Sequence, residues 1–118
     1  MIVNLHATWA WIVIVGNGVA GLWCLGAHWW PPLRVKVLWG FVVFMELTIF
    51  VQAGLGVYMM AVQGISAPAM HTFYGFIAIV SVAILYGYRT QVRAWQYLLY
   101  GFGGLFLMGL GIRALTLA

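Results

Sequence analysis

Four long apolar segments, separated by short polar interruptions, make up nearly the whole chain. They cover residues 6–29, 37–60, 69–88 and 95–117. Each segment reaches the roughly 20 residues that an α-helix needs to cross the hydrocarbon core of a bilayer. The apolar runs lack the alternation of barrel strands, and a helix satisfies its own backbone groups inside lipid. The pattern therefore predicts an all-α integral membrane protein with four transmembrane helices, in one domain over residues 1–118.

Composition supports a membrane protein and argues against nucleic acid as a partner. Hydrophobic residues make up 66% of the chain and charged residues only 5%, whereas soluble domains are about 25% charged. With five Lys and Arg residues in total, the chain lacks the basic surface that nucleic-acid binding requires. The first apolar stretch has no basic leader, so we expect it to be a permanent helix and not a cleaved signal.

The basic residues predict an orientation in the membrane. Arg34 and Lys36 lie in the first connection, and Arg89 and Arg93 lie in the third. Short loops that carry Lys and Arg stay on the cytoplasmic side. We therefore expect both termini on the outer side of a bacterial-type inner membrane. Because the connections are short, consecutive helices should be antiparallel neighbours, and an up-down four-helix bundle is the simplest arrangement.

Similar segments within the sequence suggest that the chain contains two tandem helical hairpins. HATWAWIVIV at 6–15 returns as HTFYGFIAIV at 71–80, and two shorter echoes follow, LWGF with LYGF and GLGV with GLGI. A duplication would relate the two hairpins by a pseudo-two-fold axis along the membrane normal. The offsets between copies shrink from 65 to 61 to 55 residues, so chance similarity in a glycine-rich apolar sequence remains the alternative.

A histidine heads both copies of the longest echo. His6 and His71 are predicted in the first turns of their helices, on the outward side, where two facing imidazoles could ligate the iron of a haem b or another metal ion. Met70 would add a sulfur ligand to such a metal site. The alternatives are that both histidines simply hydrogen-bond at the membrane interface, or that they contact a quinone.

Glu46 is the second candidate, because it is the only acidic residue in the chain. It lies about 4 Å from the centre of the second helix, where a charged carboxyl costs on the order of 2.5–3.5 kcal/mol. It could be protonated and hydrogen-bonded to Asn17 or Ser81, bind a proton or cation, or pair with a basic group of another subunit. Gln52 is a further polar group on this helix, about 120° around from Glu46.

Three functions are compatible with these features. The first is a small accessory subunit of a larger, energy-transducing membrane complex, without its own catalytic centre, which docks or self-associates through glycine-rich helices such as the fourth, with five glycines. The alternative is an outward-side bis-histidine haem b or metal module for electron transfer linked to quinone. The second alternative is a dimeric proton- or cation-coupled transporter that uses Glu46. The absence of Asp from the sequence argues against a hydrolase.

Overall fold

Four long α-helices account for most of the computed structural model, which describes residues 1–117. The helices are α1 (Ile2–Trp29), α2 (Lys36–Ala61), α3 (Ala69–Tyr88) and α4 (Gln96–Thr116). Two short 3-10 turns, Pro31–Leu33 and Arg93–Trp95, precede α2 and α4, and the described range contains no strand. All four helices are long and apolar enough to cross a membrane. The all-helical fold with four candidate membrane spans is thus confirmed.

One helix begins where a proline in the sequence predicts it, and another begins earlier than predicted. Pro68 immediately precedes α3, which begins at Ala69 as predicted. By contrast, α1 begins at Ile2, four residues before the predicted start. The residues between Ile2 and His6 include neither glycine nor proline, so nothing stops the helix from extending toward the N-terminus. As a result His6 lies in the second turn of α1, one turn deeper than predicted, whereas His71 lies in the first turn of α3.

α1 and α4 are the most closely packed pair, because glycines remove side chains from their contact. A Cβ atom placed on Gly104 would lie 2.8 Å from the carbonyl oxygen of Asn17 and 2.8 Å from Cα of Gly21. A Cβ atom on Gly111 would lie 2.9 Å from Cγ1 of Ile14. Since later residues of α4 meet earlier residues of α1, the two helices run antiparallel. Close backbone approach of this kind is how helices associate in lipid.

Polar contacts link α1 to α2 and α3 to α4. The indole Nε1 of Trp9 donates to the carbonyl oxygen of Thr48 at 2.9 Å. On the other side of the molecule, the hydroxyl of Tyr100 donates to the carbonyl oxygen of Leu85 at 3.3 Å. These bonds join positions 39 and 15 residues apart, respectively. The α1–α2 pair and the α3–α4 pair are therefore each held by a side-chain hydrogen bond as well as by apolar packing.

α2 and α3 make far fewer contacts than the other three neighbouring pairs. A pseudo-two-fold axis between tandem hairpins would make the α2–α3 contact equivalent to the α1–α4 contact. The two contacts differ strongly in extent, although α1–α2 and α3–α4 are similar to each other. The separation of α2 from α3 leaves a large cavity at the end of the helices where both histidines lie.

A histidine-lined cavity as the candidate functional site

The cavity has a volume of about 530 Å³, within the range of roughly 300–1,000 Å³ that is usual for cofactor and small-molecule sites. All four helices and the connection at residues 62–68 contribute to its wall. Along α1 the wall runs from Val3 to Val13, which corresponds to about 15 Å at the helical rise per residue. The cavity therefore reaches from the helix ends toward the middle of the helices, and its wall is mainly apolar.

His6 and His71 face each other across this cavity. Their ring centroids lie 6.2 Å apart, and the ring planes are inclined at 72°. A direct N–H···N hydrogen bond, with its nitrogens about 3 Å apart, would bring the two ring centres to about 5.2 Å or less. Two imidazoles that ligate one metal ion from opposite sides, each through a bond of about 2 Å, have centres about 6.3 Å apart. The observed spacing is too wide for the hydrogen bond. It lies within the roughly 4.5–7 Å of ordinary edge-to-face ring contacts and is also close to the spacing of two imidazoles on one metal ion.

The His71 ring is held in place by a backbone carbonyl. Its Nδ1 lies 2.7 Å from the carbonyl oxygen of Ala114 on α4. A carbonyl oxygen only accepts, so Nδ1 carries the proton, and in the neutral ring Nε2 carries the free lone pair. Metal-ligating histidines show this arrangement, in which one ring nitrogen donates to a carbonyl and the other binds the metal.

Gln52 lies in the cavity wall together with the two histidines. Its Nε2 donates to the backbone carbonyl oxygen of His6 at 2.8 Å. His6 Nδ1 and Gln52 Oε1 are both buried and have no hydrogen-bond partner, and they are the two side-chain atoms of this kind within residues 1–117. Buried polar atoms are nearly always paired, so these two unpaired atoms call for a specific explanation.

The other predicted ligand, Met70, does not reach the histidines. Its side chain is 50% exposed and is absent from the cavity wall, to which Met59 and Met60 do contribute. No group of three or more His, Cys, Asp or Glu side chains comes together in the part of the chain that the structure describes. A metal ion bound through protein side chains alone usually takes at least three protein ligands. The histidine pair therefore suits a metal whose other ligands come from a cofactor.

Glu46 lies outside this cavity and adjoins a much smaller one of about 10 Å³, whose wall includes Asn17 and Tyr100. The amide of Asn17 donates to two backbone carbonyls, at 2.8 and 3.4 Å. Ser81 donates to a carbonyl of its own helix at 2.7 Å. Neither residue donates a hydrogen bond to Glu46, and Gln52 belongs to the histidine cavity. The acid and the histidine pair are therefore separate sites.

The third histidine, His28, lies at the opposite end of α1. Its ring stacks on Trp95 with centroids 5.9 Å apart and meets the edge of Trp29 at 4.9 Å. Tryptophans of this kind are typical of the membrane–water interface. His28 thus offers a natural control for experiments on the other two histidines.

No protein-family model, curated protein or solved structure matches the chain. What bears on function is the geometry of the cavity and of three polar side chains in its wall, His6, Gln52 and His71.

Proposed function

We propose that the protein is a small integral membrane subunit of an energy-transducing complex, and that it transfers electrons through a haem b held between His6 and His71. The observation that carries this proposal is the separation of 6.2 Å between the two ring centroids. At that spacing both imidazoles would be able to bind one haem iron. The hydrogen bond from His71 Nδ1 to the carbonyl of Ala114 adds support, because it leaves Nε2 free to ligate.

A haem fits this site better than a bare metal ion. A haem would bring four nitrogen ligands of its own, so His6 and His71 would suffice to hold it, whereas a bare ion would lack ligands here. The haem would supply one-electron redox chemistry. The protein's own residues would ligate the iron, fix the ring orientations and exclude water with an apolar wall. The cavity extends inward to the level of Val13, so a macrocycle would not have to project into the headgroup region.

The placement in a complex rests on the short connections between helices. The segments between α1 and α2, between α2 and α3, and between α3 and α4 are too short to hold a soluble catalytic domain. Electrons would therefore come from and pass to other subunits or quinone, with glycine-bearing helix faces available for docking. We also propose that the helices form an up-down bundle, with both termini on the outer side of a bacterial-type inner membrane. The antiparallel contacts and the basic residues at one end support this arrangement.

The test is a reduced-minus-oxidised absorption spectrum, with haem and metal analysis, of protein extracted gently enough to keep its neighbours. We expect one haem b per chain, lost from the double variant His6→Ala with His71→Ala. His28→Ala is the matched control and should keep its haem. Membrane insertion of all variants should remain unchanged.

Two results would contradict the proposal. The first is haem retained in the double histidine variant. The second is a colourless, metal-free protein that co-purifies with stoichiometric partners, which would favour a purely structural accessory subunit.

A further inference from the structure

His6 and Gln52 present a matched pair of unsatisfied atoms. In a neutral imidazole one ring nitrogen donates and the other accepts, while the amide Oε1 can only accept. His6 Nδ1 and Gln52 Oε1 are both buried without a partner, and both side chains line the same cavity. The Gln52 amide is already fixed next to His6 by the bond from its Nε2 to the His6 carbonyl. Each orphaned atom is thus the complement of the other.

We propose that Gln52 is the positioning residue for His6: its Oε1 accepts a hydrogen bond from Nδ1–H of His6 and so directs the Nε2 lone pair of His6 to the bound cofactor. The bond is not formed in the structure, where both atoms lack a partner. Its formation would require a rotation of the imidazole about its terminal side-chain torsion, which is soft in histidine. The bond would satisfy both buried atoms, which otherwise cost the free energy of desolvation without compensation.

The same arrangement already exists on the other side of the site. His71 donates from Nδ1 to the carbonyl oxygen of Ala114 at 2.7 Å. With Gln52 as its partner, His6 would be fixed in the same tautomer, by a side-chain carbonyl instead of a backbone one. Such partners fix the orientation of the ring and raise the basicity of the ligating nitrogen. The two histidines would then present equivalent nitrogens to an iron between them.

This inference rests on the proposed function for the identity of the ligand, but the His6 tautomer can be measured with or without haem. The experiment is nitrogen-15 NMR of the histidine rings in the purified protein. The sample is reduced, so that a low-spin haem would be diamagnetic. We expect protonated Nδ1 in both His6 and His71 of the wild type.

Two substitutions distinguish the proposed acceptor, Gln52 Oε1, from the hydrogen bond that Gln52 Nε2 donates to the His6 carbonyl. Gln52→Met removes both, whereas Gln52→Glu keeps an acceptor oxygen and removes the donor. We expect His6 to lose the Nδ1–H signal in Gln52→Met and to retain it in Gln52→Glu. His71 should be unchanged in both, because its partner is a backbone carbonyl. Gln63→Met, in the exposed connection before α3, should behave as the wild type.

The haem potential provides a second readout. A carboxylate acceptor makes the ligating imidazole more basic than an amide does, so the midpoint potential should fall in Gln52→Glu and rise in Gln52→Met. The inference is overturned by an unprotonated Nδ1 in wild-type His6. It is also overturned if the His6 tautomer and the haem potential change in the same way in both Gln52 variants, which would show that only the bond from Gln52 Nε2 to the His6 carbonyl matters. Absence of haem together with a Gln52-dependent tautomer would refute the proposed function and leave the positioning role standing.

Discussion

The contact between α1 and α4 gives the sharpest test of the packing. A Cβ atom on Gly104 would lie 2.8 Å from two backbone atoms of α1, whereas one on Gly109 would have nothing within 4 Å. Contacting heavy atoms prefer about 3.5–4.0 Å, so Gly104→Ala forces the two helices apart by close to 1 Å and forfeits a quarter to a half of the attraction nearby. Overpacking of this kind costs about 1–3 kcal/mol.

The two glycines lie on the same helix, so their comparison removes the effect of helix propensity. Alanine is favoured over glycine by about 0.8–1.0 kcal/mol at either position. We therefore expect Gly109→Ala to be neutral or stabilising, and Gly104→Ala to be less stable than Gly109→Ala by about 2–3 kcal/mol, since backbone atoms cannot move aside as a side chain can.

Equilibrium unfolding of both variants in the same micelles, followed by circular dichroism or steric trapping, measures this difference. The close approach of α1 and α4 would be refuted by a difference below about 0.5 kcal/mol, which is the usual effect of a surface substitution. It would equally be refuted if Gly104→Ala proved the more stable of the two.

Three further predictions concern single side chains. Trp9→Phe should lower the free energy of unfolding by about 0.5–1.5 kcal/mol, since it removes the donor to the Thr48 carbonyl; no loss would show that this bond is not formed in the membrane. Glu46→Gln should insert and unfold as the wild type does, because no basic group among the described residues pairs with it; failure to co-purify with partners would instead identify an ion pair between subunits. Met70→Leu should leave the haem spectrum unchanged, since Met70 is half exposed, and a changed spectrum would make it a ligand.

The four helices could be predicted because each apolar run is long enough to cross a bilayer. Their ends could be predicted where proline marks them, as Pro68 does before α3. The start of α1 was predicted wrongly, since Ile2–Leu5 contain no stop signal and the helix simply continues. The separation of α2 from α3 depends on side-chain packing among all four helices, and no short sequence pattern encodes it.

The candidate site, too, could be predicted only in part from the sequence. The repeated segment singled out His6 and His71, and the structure brings their rings together. Met70 was predicted as a ligand because it adjoins His71 in the sequence, but the structure places its side chain outside the cavity wall. Gln52 was predicted only as a further polar group on α2, about 120° around from Glu46. Its contact with His6 could not be predicted, since it depends on how α2 is rotated against α1.

The most direct measurement of the central claim is the electron paramagnetic resonance spectrum of the oxidised protein and its single variants His6→Ala and His71→Ala. We expect a low-spin ferric signal in the wild type, because two imidazole ligands would make the iron of the proposed haem low-spin. Each single variant should convert to a high-spin signal, or lose its haem, while His28→Ala keeps the low-spin signal. A wild type without a haem signal, or a low-spin signal that survives in either single variant, would contradict ligation by His6 and His71.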